Sequence, residues 1–192
     1  DTKPVIDLSV TNPCEPEGTF TINLTTTTAG IVPYYLTVNG SVYSPVTLPH
    51  TLSNQNSGSY IIAVKDVNGC TNSQNTTILS PLGLSSTVIK QPSCTTDDGE
   101  IKAIAVGGSG SFEYKIDSRS YGSVFNFTEL SSGNHTITIN DTTTGCENSI
   151  LVTLEDPTPI TGLTLTSKPV SCHGGSDGSI TVTIATPAPG VN

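Results

Sequence analysis

The sequence of 192 residues contains no methionine and no tryptophan, and its seven lysines and arginines are outnumbered by 16 acidic residues. The resulting net charge of −9 lacks the clustered positive charge that binding to nucleic acid or to an anionic membrane surface requires. No apolar run approaches the roughly 20 residues that cross a bilayer, so direct membrane insertion is not expected. The chain begins at Asp1 without a recognisable signal peptide, which is typical of a processed or excised segment.

Helical periodicity is missing as well, because no long window carries apolar residues at positions i, i+3, i+4 and i+7. The sequence is instead rich in Thr, Ser, Asn and Val, and 13 prolines and 18 glycines interrupt it at short intervals. Threonine and valine fit a pleated, half-buried surface and lose rotamer freedom in a helix. This composition predicts an all-β protein.

Two cysteine-centred patterns recur along the chain. A closing pattern, SGSYIIAVKDVNGC (residues 57–70), returns as SGNHTITINDTTTGC (132–146). An opening pattern has a proline shortly before the cysteine, then a polar turn with an acid and a glycine, and then an alternating strand. It surrounds Cys14, Cys94 and Cys172. Recurrence at about 76–80 residues means that one structural unit is used repeatedly.

The repeats predict a first β-sandwich over 1–81, a second over 82–157 and the first part of a third over 158–192. Turn signals and alternation give strands at about 84–90, 99–106, 111–117, 121–129, 134–141 and 148–155 in the second repeat. The matching strands of the first repeat are at about 4–11, 18–25, 33–39, 42–50, 59–66 and 75–80. A seventh strand arises if 118–130 splits. The predicted fold is therefore a tandem array of immunoglobulin- or fibronectin-like β-sandwiches of six to seven strands, each with one disulfide.

Two cysteines in each small, turn-rich unit indicate a disulfide formed in an oxidising compartment. The predicted bridges are Cys14–Cys70 and Cys94–Cys146, because six alternating strands would place both loops of a repeat at the same end of its sandwich. Cys172 is then left unpaired, with its partner beyond the sequence, unless it is a free reactive thiol. Bridges between neighbouring repeats, Cys70–Cys94 and Cys146–Cys172, are the alternative, and they require an upstream partner for Cys14.

With these motifs in view, the chain resembles the SprB-type repeat of large surface adhesins of gliding bacteria. SCHGGSDGSITVTI (residues 171–184) is similar to the opening of that repeat, and SGSYIIAVKDVNGC is similar to its closing strand. The chain departs from the pattern at His135, where a tyrosine is expected, and at CEPEGTF, which lacks the Gly-Gly turn. The resemblance implies a secreted bacterial cell-surface protein whose repeats form a stalk or filament for adhesion and gliding movement.

One acidic turn resembles a cation site. Asp97, Asp98 and Glu100 lie within a single turn, and oxygen ligands of this kind suit Ca²⁺. The equivalent turns carry different acid patterns and EF-hand spacing is absent, so a solvated acidic turn is the preferred interpretation. The recurring Asp66 and Asp141, just before the closing cysteines, are predicted to form Asx-turns with backbone N–H groups.

No motif predicts catalysis, a cofactor or zinc. Ser176 in GGSDG (174–178) fits a nucleophile-elbow pattern but precedes a strand instead of the helix that such a motif needs. His50, His135 and His173 occupy three different environments and lack zinc-ligand spacing. The sequence therefore predicts that the protein is not an enzyme.

Three kinds of partner follow from this interpretation: neighbouring repeats of the same chain, further copies that associate laterally or end to end through strand edges, and surface glycans. The glycan alternative makes the chain a carbohydrate-binding module of an extracellular enzyme. It requires exposed aromatic rings on one plane, and YGSVFNF (121–127) is the segment that could expose one. Asn126 and Asn134 lie in N-glycosylation sequons.

Overall fold

A computed structural model of the protein describes residues 3–11, 14–94, 96–157 and 161–186. These residues form fifteen β-strands and no helix, which confirms the all-β prediction. The strands within residues 1–81, the predicted first repeat, are β1 Val5–Thr11, β2 Phe20–Thr28, β3 Tyr34–Val38, β4 Ser44–Val46, β5 His50–Gln55, β6 Gly58–Lys65 and β7 Thr71–Ile78. Those of the second are β8 Gly83–Lys90, β9 Gly99–Val106, β10 Phe112–Ile116, β11 Asn126–Leu130, β12 Gly133–Asp141 and β13 Glu147–Leu154. The hairpin β14 Thr161–Lys168 and β15 Ser179–Thr186 follows.

None of the segments that the structure describes is a helix long and apolar enough to cross a membrane.

The first repeat is a two-sheet sandwich. Its strands form the sheets β1-β2-β5 and β4-β3-β6-β7. Alternate side chains of β2, namely Phe20, Ile22 and Leu24, are fully buried, and they share one core with Ile62 and Val64 of the other sheet. Burial of each such side chain contributes about 1.5–3 kcal/mol, so this shared core holds the two sheets together.

The second repeat has the same strand order. Its sheets are β8-β9-β11 and β10-β12-β13, and an isolated bridge between Tyr114 and Gly122 stands where β4 stands in the first repeat. The predicted β-sandwich fold of immunoglobulin type is thus confirmed. The strand count needs a correction in the first repeat, where the predicted strand 42–50 is two strands, β4 and the beginning of β5.

The contacts of the chain group into two compact units. The first contains Asp1–Thr87, Ala103–Phe125 and Thr136–Val152, and the second contains Val88–Lys102, Asn126–His135 and Thr153–Asn192. The division falls inside strands β8, β9, β12 and β13. The compact units therefore do not coincide with the repeats of the sequence, whose predicted boundaries remain a prediction.

The last hairpin reproduces the opening of a repeat. Strands β14 and β15 pair antiparallel from Lys168↔Ser179 to Thr161↔Thr186. Its apolar side chains are exposed, Leu165 of β14 by 66% and Ile180 of β15 by 74%, whereas the counterparts of Ile180, Phe20 in β2 and Ile101 in β9, are fully buried. Residues 158–160 and 187–192 of the predicted third repeat lie outside the described residues.

Candidate functional site: the cysteine turns

One disulfide joins the two repeats. It links Cys14, in the loop after β1, to Cys146, in the turn after β12, across 132 residues and with a Cα–Cα distance of 5.4 Å. Cys70, Cys94 and Cys172 are free thiols. The predicted bridges Cys14–Cys70 and Cys94–Cys146 are therefore corrected, and the alternative bridges Cys70–Cys94 and Cys146–Cys172 are absent too.

The strand count explains the correction. Successive strands of the sandwich run in opposite directions, so a loop after an odd-numbered strand and a loop after an even-numbered strand lie at opposite ends. The first repeat has seven strands, and Cys14 follows the first of them while Cys70 follows the sixth. The two thiols consequently lie at opposite ends of their sandwich and cannot meet. The predicted pairing depended on a count of six. In the second repeat the isolated bridge between Tyr114 and Gly122 takes the place of β4, so Cys94 and Cys146 are separated in the same way.

The closing cysteines occupy matching turns. Asp66 N donates to the Cys70 carbonyl at 3.1 Å, and Asp141 N donates to the Cys146 carbonyl at 2.9 Å. Cys70 N returns a hydrogen bond to Asp66 Oδ1 at 2.8 Å, while Asp141 Oδ1 accepts from Thr143 N at 3.0 Å. The predicted Asx-turn is confirmed at Asp141, whose partner lies two residues on, whereas the Asp66 carboxylate accepts from a backbone N–H four residues on. Both aspartates are buried, at 1% and 0% exposure.

Each buried aspartate also fixes the loop that leads into the third strand of its repeat. Ser109 donates to Asp141 through both its backbone N, at 2.6 Å, and its Oγ, at 2.7 Å. In the first repeat, Ile31 N lies 3.5 Å from Asp66 Oδ2. We call this group of residues the entry cluster, because it includes the residue just before the first strand of the repeat. Its members are Pro4, Gly30, Asp66 and Cys70 in the first repeat and Leu82, Gly108, Asp141 and Cys146 in the second.

The glycines of the entry clusters leave room for the carboxylates. A β-carbon at Gly30 would lie 2.9 Å from Asp66 Oδ2 and 3.0 Å from Pro4 Cδ. A β-carbon at Gly108, where φ is +66°, would lie 2.7 Å from Asp141 Oδ2 and 3.2 Å from Leu82 Cδ1. The same three-way contact is thus built twice, from different residues.

The ionised form of Asp141 is favoured by its hydrogen bonds. Burial of the carboxyl raises its pKa, but the hydrogen bonds from the Ser109 hydroxyl and from the N–H groups of Ser109, Thr144 and Thr143 outweigh burial and lower the pKa below 3.8. The carboxylate is therefore a charged hydrogen-bond acceptor at neutral pH.

The entry cluster of the second repeat also holds the connection between the repeats. Gly108 N donates to the Ser80 carbonyl at 2.9 Å, and Asn148 Nδ2 donates to the Leu82 carbonyl at 2.8 Å. The two hydrogen bonds thus hold residues 80–82, which connect the repeats, and the bridge holds the Cys14 loop to the Cys146 turn of the same cluster.

The opening cysteines lie in a second type of group, the exit cluster, which combines the loop after the first strand of a repeat, the turn before its last strand but one and the end of its last strand. In the first repeat, Glu17 Oε1 accepts from Ser57 N at 2.5 Å, and Ser80 Oγ lies 3.4 Å from Ser57 Oγ. In the second repeat, the Ser132 hydroxyl donates to Asp156. Cys94 lines an open cleft of about 290 Å³ with these two residues and with Pro157.

The acidic turn holds two of its three carboxylates, those of Asp98 and Glu100, in contacts with other residues. Asp98 contacts Lys90 Nζ at 2.5 Å and accepts from Ser93 N at 2.7 Å. The hydrogen bonds from Lys90 and from the Ser93 backbone lower the Asp98 pKa. Glu100 accepts from Asn126 Nδ2 at 2.5 Å, and the described residues contain no group of three His, Cys, Asp or Glu side chains that could hold a metal. These contacts favour the solvated-turn interpretation over a calcium site at Asp97, Asp98 and Glu100.

The same turn orients the opening cysteine. The residue before the cysteine donates its N–H to the aspartate of the Asp-Gly pair, at 2.7 Å from Ser93 to Asp98 and at 3.0 Å from Ser171 to Asp177. The hydrogen bonds from the Ser171 side chain and backbone lower the Asp177 pKa. Ser176, the residue of the nucleophile-elbow pattern, lies in this turn before strand β15.

His135 performs the structural task of the tyrosine that it replaces. Its Nε2 lies 2.9 Å from the Ser131 carbonyl, four residues earlier. In the first repeat, Tyr60 Oη donates to the Asn56 carbonyl, also four residues earlier, at 2.8 Å. His50 begins strand β5, and His173 is exposed beside Cys172.

Gly108→Ala is expected to lower the free energy of unfolding by about 1–3 kcal/mol, because it adds strain at positive φ and crowds the Asp141 carboxylate. Gly110→Ala is the matched control: its φ is +92° and a β-carbon there meets nothing within 4 Å. Urea unfolding of both variants separates backbone strain from crowding, and equal losses would contradict a role for the entry cluster.

Two segments of the chain match a protein-family model. The SprB repeat model matches residues 86–119 and 164–188. The resemblance to the SprB repeat is therefore confirmed at these two segments, each of which includes an opening cysteine. No curated protein matches.

A solved structure is similar in fold. The C-terminal 282-residue fragment of intimin, in complex with the intimin-binding domain of the translocated intimin receptor, has a TM-score of 0.55 and 11% sequence identity to the chain. The match covers 80% of this chain and 64% of the intimin fragment, which is just under two thirds of that fragment.

Proposed function

We propose that the protein is a structural repeat segment of a secreted bacterial cell-surface adhesin or filament, which serves as a stalk or spacer in adhesion and gliding-type surface movement. The observation that carries the proposal is the Cys14–Cys146 bridge, which fastens two consecutive repeats to each other. A stalk must transmit tension along its length, and a covalent bond between repeats does so even when their sheets open. SprB repeats at two segments and a fold similar to intimin support an adhesin-type protein.

The repeat boundaries 1–81, 82–157 and 158–192 belong to this proposal. Neighbouring repeats are the first partners of each unit, and further copies associate laterally or end to end through strand edges. The absence of an enzymatic role is part of the same proposal, and it is supported by the similarity to structural and adhesive proteins.

Single-molecule pulling tests the mechanical role. With handles near residues 3 and 186, the bridged chain is expected to extend less than the reduced chain, because the segment enclosed by the bridge cannot lengthen. The 132 residues enclosed correspond to about 450 Å of extended chain, at about 3.4 Å per residue. Equal contour lengths with and without reductant would contradict a bridge that carries tension. Cys172→Ser, which leaves the bridge intact, is the control.

Localisation is tested separately. Antibodies against the folded chain are expected to label intact, non-permeabilised cells that produce the parent protein. Labelling that requires permeabilisation would contradict a surface stalk and leave the disulfide geometry untouched.

Carbohydrate binding is the second candidate, and one exposed ring favours it. Phe125 is 47% exposed and its ring centroid lies 6.3 Å from that of Tyr114. A glycan array with the whole chain distinguishes the two functions. Reproducible binding that is stronger than millimolar and lost in Phe125→Ala would favour a glycan-binding module over a spacer.

A further inference from the structure

The position of the Cys14–Cys146 bridge indicates which kind of partner each of the three free cysteines would have. Cys14 belongs to the exit cluster of the first repeat, and Cys146 belongs to the entry cluster of the second. The bridge therefore joins the opening cysteine of one repeat to the closing cysteine of the repeat that follows it.

The entry cluster of the first repeat is built in the same way as that of the second. Asp66 is buried, its N–H donates to the Cys70 carbonyl, and its carboxylate lies against Gly30. The two turns differ in the exposure of the cysteine. Cys146 is 3% exposed beside Cys14, whereas Cys70 is only partly buried and has no sulfur partner. Cys70 thus lies in the same kind of turn as the bridged Cys146, but it is not bonded to an opening cysteine.

The exit cluster of the second repeat contains the other partner of such a bridge, a free opening cysteine. Cys94 is exposed and lines the open cleft with Ser132, Asp156 and Pro157, where the last strand of the repeat has ended. Asp98 fixes the Cys94 turn through Ser93 N. Pro157, at the end of the second repeat, therefore lies in the same cleft as Cys94.

We propose that these repeats form an interlocked disulfide series, in which every opening cysteine is bonded to the closing cysteine of the following repeat. The inference rests on the repeat division of the proposed function. On this scheme Cys94 and Cys172 bond to closing cysteines of later repeats, and Cys70 bonds to the opening cysteine of a preceding one. Each bond joins two thiols, which release two protons and pass two electrons to a disulfide oxidant such as oxidised glutathione, reducing it to two thiols.

A lengthened chain tests the series. Residues 1–186 are followed by a second copy of residues 108–192, which completes the third repeat with a closing cysteine in the register of the second. After refolding in a glutathione buffer, peptide mapping without reduction is expected to show Cys14–Cys146 and a new bond from Cys94 to the second copy of Cys146. Three thiols, Cys70 and both copies of Cys172, are expected to remain.

Other schemes give different maps. Bonds within repeats would leave a single free thiol and would join Cys172 to the added Cys146. A free Cys94 in the lengthened chain, or a bond from Cys94 to the original Cys146, would overturn the series. Cys146→Ser in the added copy alone is the matched control, because it is expected to restore the Cys94 thiol and to retain the Cys14–Cys146 bond. The map does not depend on surface location or ligand, so its failure is distinguishable from failure of the proposed function.

A second measurement uses the unlengthened chain and does not require the added copy to fold. Under the same oxidising conditions at high concentration, disulfide-linked dimers are expected to join Cys94 or Cys172 of one copy to Cys70 of the other. Cys70→Ser is expected to abolish them. Dimers that join two opening cysteines, or that persist in Cys70→Ser, would contradict the series.

Discussion

Cys14→Ser is expected to lower the free energy of unfolding by about 5 kcal/mol, the largest single effect that the structure predicts. The bridge encloses 132 residues, and in the chain-entropy model a loop of that length restricts the unfolded state by about this amount. Cys14 is the exposed partner, so serine there removes the bond with little change in packing.

Calorimetry under non-reducing conditions measures the effect. For a chain of this size, a loss of about 5 kcal/mol corresponds to a fall of about 10–20 °C in the unfolding midpoint. Cys172→Ser, at an exposed free thiol, is the matched control and is expected to unfold at the parent temperature. Reductant should bring the parent chain down to the midpoint of Cys14→Ser and leave that variant unchanged. A midpoint shared by Cys14→Ser and the oxidised parent would refute the bridge.

Asp141→Asn is expected to lower the free energy of unfolding by about 3 kcal/mol at neutral pH. The carboxylate accepts hydrogen bonds from Ser109, Thr143 and Thr144 at 0% exposure. An asparagine offers one acceptor oxygen in place of two, and its NH₂ group would face a donor. Asp7→Asn, at an exposed position of β1, is the control and is expected to change stability by less than about 0.5 kcal/mol.

The same residue predicts a dependence on pH. The Asp141 pKa is lowered in the folded state, so the folded protein binds this proton less readily than the unfolded chain. The stabilisation is complete above the ordinary carboxyl pKa of about 4 and is lost as pH falls toward the folded-state value. Urea unfolding at neutral and at acidic pH is therefore expected to show a larger loss for the parent than for Asp141→Asn. Parallel losses in the two proteins would contradict a charged Asp141.

Much of the fold could be predicted because the alternation of β9 and β12 is regular and because the cysteine turns repeat. GEIKAIAV (99–106) and HTITIND (135–141) alternate apolar and polar residues, as a sheet with one buried face requires. Strand β4 is the element that could not be predicted from the sequence. A strand of three residues, Ser44–Val46, or the single bridge at Gly122, contains too few residues to show a period.

This short element determines which cysteines can form a disulfide. Without β4 the two cysteine loops of a repeat fall at the same end, and with it they fall at opposite ends. The spacing of Cys14, Cys70 and Cys146 contains no information on strand direction, so pairing could not be read from it. The entry clusters were missed for a related reason. Gly30 and Gly108 are distant in sequence from the aspartates that they contact, and only the aspartate turn of each cluster is local.

The length of sequence between the bonded thiols also sets an order of events during biosynthesis. Cys14 is synthesised long before Cys146, and it must stay reduced, or be held in a temporary mixed disulfide, until the second module has been made and the turn that contains Cys146 has closed. Covalent locking consequently lags one module behind folding, and a wrong early partner such as Cys70 is avoided only if the first module has already folded with those two thiols kept apart.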